Sequence, residues 1–140
     1  MLAGGPIISN SQKLKHRAPT GATSHVEYMA ICECNRSVIW LRQLLYELHK
    51  YDLIGEPTVV YGDNEQANRL CKEDLITSGN KYIRLAYHWN KEVVESGDVV
   101  IRSKRTSLML ADLFTKPVNA KTIESLAGKL MGYVSWKDDP

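Results

Sequence analysis

No stretch of this 140-residue chain approaches the roughly 20 consecutive apolar residues a membrane-spanning helix needs. The opening MLAGGPIIS also lacks the basic flank and the long apolar centre of a signal peptide. Both absences argue against a membrane protein and point to a soluble, intracellular one. Cysteine is scarce, with three residues in all. Cys32 and Cys34 fall on different sides of any helix and Cys71 stands alone. Neither a disulfide framework nor a zinc set is specified, and all three read as packing residues in a reducing compartment. Internal repeats and low-complexity tracts are missing. So is a strong net charge: the formal balance of +2 does not by itself mark a nucleic-acid binder.

What is present fits one domain with a modest core, since 44% of residues are hydrophobic and 24% charged. The placement of charge says more than its sum. Lys13, Lys15, His16 and Arg17 cluster near the N-terminus, and Arg102, Lys104 and Arg105 near the other end. Two such clusters can flank a phosphate backbone, or they are two solvated loops.

Strand-like and helix-like segments alternate, which indicates an α/β fold. GGPIISNSQKL opens with a turn signal and continues as a short extended segment, and KHRAPTGA reads as loop. A helix begins near Thr23 or Ser24, with Glu27 placed to close a capping box on Ser24. Apolar residues then recur at 28, 31, 32, 38, 41, 45 and 48, the spacing of one helical face, out to about Lys50. Gly55 and Pro57 break the pattern, and TVVYG follows as a β-branched strand. NEQANRLCKED makes a short helix, SGNKYIRLAYHWNKEVVESG a longer one, and DVVIRS a second strand. The last third is helical on both sides of Pro117.

Three acids stand out against this pattern. Asp63 ends the strand TVVYG and begins a helix, and in open α/β sheets functional groups collect at the carboxyl ends of strands. Glu27, in SHVEYMA, and Asp112, in MLADLF, sit in apolar company. Three carboxylates from separate elements can converge on one site if a cation lies between them, and oxygen-only ligation selects a hard ion such as Mg²⁺. Each acid also has a purely structural reading: Glu27 closing the capping box, Asp63 as the N-cap of the helix after it, and Asp112 capping or facing water. His88, between Tyr87 and Trp89, reads as a packed or surface histidine, and Trp40, Trp89 and Trp136 as packing residues.

SHVEYMA, VIWLRQLLYEL, VVYGDNEQA, YIRLAYHWNKEVVESGDVVIR and ADLFTKP together resemble, in order and spacing, the ribonuclease H domain at the end of copia-type retrotransposon polyproteins. The resemblance covers residues 4 to 132, and its compound pattern is far more specific than any one piece. It implies a ribonuclease H-like fold, a mixed five-stranded sheet with helices on both faces. It further implies hydrolysis of the RNA strand of RNA/DNA hybrids with Mg²⁺, or Mn²⁺ in its place. Glu27, Asp63 and Asp112 match the catalytic, metal-binding carboxylates of that family. Asn64, Thr115 and Lys116 match motif positions with supporting, substrate-contacting roles. The implied partners are the hybrid itself and the reverse transcriptase and integrase parts of the same polyprotein, in a cytoplasmic particle or the nucleus.

The chain also departs from the family pattern. No acid precedes Glu27, so the family's first catalytic aspartate and the central first strand that carries it have no counterpart here. Tyr82, Met109 and His25 replace residues usual in the family. The expectation is one domain over residues 1 to 140, incomplete at its N-terminus, with residues 1 to 20 loosely attached and 21 to 134 as the body. Hydrolysis is then weak or absent in this chain. The alternatives are a catalytically inactive, domesticated module that binds nucleic acid, or a structural subunit, either one accepting a strand from another protein.

Overall fold

The computed structural model describes residues 6–10, 23–70 and 81–133. The basic cluster at 13 to 17, Cys71 and Trp136 lie outside them. The chain divides into two compact units, Leu14–Ser103 and a second formed by Met1–Lys13 with Lys104–Pro140. No described helix is long and apolar enough to cross a membrane.

The first unit opens with α1, Thr23–Glu47. The backbone leaves α1 through a left-handed residue, His49 at φ 57°. There the amide of Lys50 donates to the Leu45 carbonyl and that of His49 to the Tyr46 carbonyl, a Schellman ending with histidine where glycine is usual. A 3₁₀ turn at Tyr51–Leu53 leads to β1, Thr58–Gly62. Next come α2, Glu65–Leu70, and α3, Lys81–Glu95. Gly97, at φ +81°, then turns the chain into β2, Val99–Ser103. This order is a βαβ unit, and its strands are parallel, with Thr58 opposite Val99 and Gly62 opposite Ser103.

The expected α/β class is therefore observed. Among the described residues the sheet is two-stranded and parallel, formed by the strands TVVYG and DVVIRS read from the sequence, without the further strands of the complete mixed sheet that the resemblance implies. Residues 6–10, from the segment read as extended, are irregular.

Val60, Val99 and Ile101 are buried on one face of the sheet and pack with Tyr28, Ile31 and Cys32 of α1, Ala67 of α2, and Ala86 and Val93 of α3. The direction of α1 follows from Arg42. Its guanidinium bonds the carbonyls of Ile54 and Glu56 at 2.9 Å, the Thr58 hydroxyl at 3.3 Å and the Asp98 carboxylate at 3.0 Å. All four partners lie where β1 and β2 begin. The C-terminal half of α1 thus sits over the strand starts, and its N-terminal half, with Glu27, lies toward the strand ends. Contacts to α3 rise in step along both helices, from Tyr28 with Ala86 to Asn35 with Asn90, so α1 and α3 are parallel.

The apolar face read along α1 is only partly used. A 25-residue helix is about 37 Å long and a five-residue strand about 17 Å. The helix overhangs the sheet, which leaves Leu44 and Leu48 exposed.

In the second unit, a 3₁₀ turn at Thr106–Leu108 precedes α4, Asp112–Thr115. Lys116 is extended ahead of Pro117, as a residue before proline prefers. Then α5, Ala120–Leu130, starts on Asn119, whose side-chain oxygen accepts from the Thr122 amide at 2.8 Å. Helix on both sides of Pro117 is thus as expected.

Candidate functional site

The carboxyl ends of two parallel strands meet at Gly62 and Ser103. Asp63 follows β1 directly and is half-buried. Its structural reading as a helix cap is excluded, because Asn64 takes that role. The Asn64 side-chain oxygen accepts from the Ala67 amide at 3.1 Å, and its carbonyl accepts from the Asn68 amide at 3.0 Å. Asn64, expected to hold the turn or touch substrate, holds the turn.

Glu27 is also half-buried, one residue before Tyr28, which is almost wholly enclosed. Ser24, the capping-box partner read from the sequence, lies within α1, and its side chain falls outside what the structure describes. Glu27 and Asp63 belong to one unit.

Asp112 belongs to the other unit, where it is the first residue of α4. Its side chain is 15% exposed and paired with the Lys116 ammonium at 2.9 Å. Lys116, matched to a substrate-contacting position, thus rests on a carboxylate. The Thr115 hydroxyl donates to the Ala111 carbonyl at 3.2 Å, closing a turn of α4. Among the described residues, no group of three or more His, Cys, Asp or Glu side chains is gathered so as to hold a metal ion. Glu27 and Asp63, both half-buried, have the donor chemistry that Mg²⁺ takes, since that ion commonly binds through one or two carboxylates and keeps several waters or substrate phosphates.

Two residues outside the sequence reading shape this region. Arg42 fixes α1 against the strand starts, and its signal is a charge set among the apolar positions 38, 41 and 45. Asn68, in ANRL, is buried directly behind Asp63, and a polar residue inside an otherwise core-facing turn is its only mark.

No protein-family model matches the chain, and no solved structure matches it. Among curated proteins it is similar to the retrovirus-related Pol polyprotein from transposon TNT 1-94 of Nicotiana tabacum. The two are 32% identical over 128 residues, 91% of this chain and 9% of that protein. It is also similar to the retrovirus-related Pol polyproteins from transposons RE1 and RE2 of Arabidopsis thaliana, each 30% identical over 125 residues, 89% of this chain and 8% of theirs. The chain thus spans under a tenth of the length of these curated relatives.

Proposed function

We propose that this chain is the ribonuclease H-type part of a retrotransposon Pol polyprotein, acting on the RNA strand of RNA/DNA hybrids with Mg²⁺, or Mn²⁺ in its place. The observation that carries the proposal is Asp63 at the carboxyl end of a parallel pair of strands. The Glu27-bearing end of α1 lies toward the same strand ends, and the similarity to Pol polyproteins supplies the setting. Glu27 and Asp63 offer the oxygen ligands. Bound ions of this kind stabilise the attacking and leaving oxygens of an in-line phosphoryl displacement. The chain's own residues orient the scissile phosphate and hold the negative charge that keeps the ions in place.

One observation favours a second reading. The Lys116–Asp112 ion pair neutralises a carboxylate that catalysis needs, as suits an inactive module that binds nucleic acid.

Cleavage of an end-labelled RNA/DNA hybrid in Mn²⁺ separates the two. The first reading predicts slow cutting of the RNA strand only, falling to background in Asp63→Asn. Equal cutting by the variant, or hybrid binding with no cutting, would reject it in favour of the second.

A further inference from the structure

We infer that Asn68 is a positioning residue for Asp63, a role that rests on the proposed use of Asp63 as a metal ligand. Asn68 is 3% exposed. Its side-chain nitrogen donates to the Gly62 carbonyl at 3.0 Å and to the Ser103 hydroxyl at 3.1 Å. One amide therefore ties together the last residues of both strands. The Gly62 carbonyl belongs to the peptide that joins Gly62 to Asp63, so the plane leading into Asp63 is held directly. On the other side of Asp63, the Asn64 carbonyl and side-chain oxygen are held by the amides of Asn68 and Ala67. Asp63 and Asn64 are the two residues between the pinned Gly62–Asp63 and Asn64–Glu65 peptides.

Gly62 completes the device. A Cβ at this position would stand 2.2 Å from the Asn68 side-chain oxygen and 3.1 Å from its carbonyl carbon. The clamp thus requires glycine before Asp63 and a carboxamide at position 68 together. That same oxygen is buried with no hydrogen-bond partner. Leaving a buried acceptor unpaired is costly, a penalty that a leucine of similar size would avoid. The amide is a poor choice for packing alone, and what it supplies in return is the pair of donors fixed on Gly62 and Ser103. Support of this kind around a ligand is what sets its geometry and its affinity for a metal.

The test uses Asn68→Leu in the full chain, with two readouts: backbone ¹⁵N order parameters and Mn²⁺ affinity from calorimetry. The order parameter of Asp63 is expected to drop while Val59, Val60 and Tyr61 keep theirs, and Mn²⁺ affinity is expected to fall about tenfold, the scale of lost ligand support. An unchanged order parameter at Asp63 would overturn the inference. In the wild-type protein, the side-chain amide protons of Asn68 are expected to exchange slowly with solvent. Fast exchange would overturn it independently of whether the variant folds. If the wild-type protein binds no Mn²⁺ while Asp63 loses order in the variant, the metal reading fails and the clamp stands.

Discussion

Cys32 is enclosed between α1 and α3, its thiol directed at the Ala86 carbonyl 3.9 Å away. Burial pushes that thiol from its ordinary 9.0 up to about 11, opposed by the Tyr28 hydroxyl and the Arg36 charge, with Glu33 adding slightly to the rise. The folded state therefore holds the proton where the unfolded chain has released it. The resulting stability is complete below pH 9 and is lost as pH rises toward about 11. Its size is on the order of 2 kcal/mol. Urea unfolding at pH 8 and pH 10.5 should show a steeper loss for the wild-type protein than for Cys32→Ala, and equal losses would show that the thiol titrates freely. Alkylation should mark the exposed Cys34 before Cys32.

At the same scale, the sequence marked Asp63 as a candidate without deciding its role. Which of two adjacent residues caps α2 depends on where the chain leaves β1, and no spacing rule distinguishes Asp63 from Asn64 there. The buried Asn35–Asn90 amide pair between α1 and α3 was hidden for a similar reason. Each asparagine reads as a surface residue until its partner, 55 positions away, is known.

Among the elements, α1 depends most on one side chain. Arg42 makes its four contacts with its charge largely withdrawn from water, a setting in which charged hydrogen bonds contribute more than exposed ion pairs do. Arg42→Met should destabilise the protein by about 2–3 kcal/mol. Arg42→Lys should recover less than half of that, because a point charge cannot span two carbonyls and a carboxylate. Equal stability of the lysine variant and the wild-type protein, in thermal melts, would show that charge alone is required. Helix α1, strands TVVYG and DVVIRS and the break at Pro117 were readable from periodicity and turn residues, since these signals are local. The overhang of α1 was not, because it depends on the length of the strands beneath it.

For the whole molecule, the proposed binding of a nucleic acid would be governed by charge placement. Arg69 and Arg102 are exposed near the carboxyl ends of the strands. With about four phosphate contacts, hybrid binding should weaken about a hundredfold between about 50 and 200 mM salt. An affinity unchanged over that range would rule out a phosphate-led interface. The α/β class was readable at this scale. The extent of the sheet was not, because pairing partners are long-range and a strand's neighbours leave no mark in its own residues. The three candidate acids were readable as candidates, whereas the assignment of Glu27 and Asp63 to one compact unit and Asp112 to another was not.

The central claim is that Glu27 and Asp63 serve one divalent ion at the strand ends. Residue-by-residue broadening of backbone amide signals by substoichiometric Mn²⁺ tests it most directly. The account predicts that signals around Glu27 and those around Asp63 and Asn64 broaden together at the same low Mn²⁺, and that Asp63→Asn abolishes both. Broadening around only one of the two, or persistence around Glu27 in the variant, would contradict it.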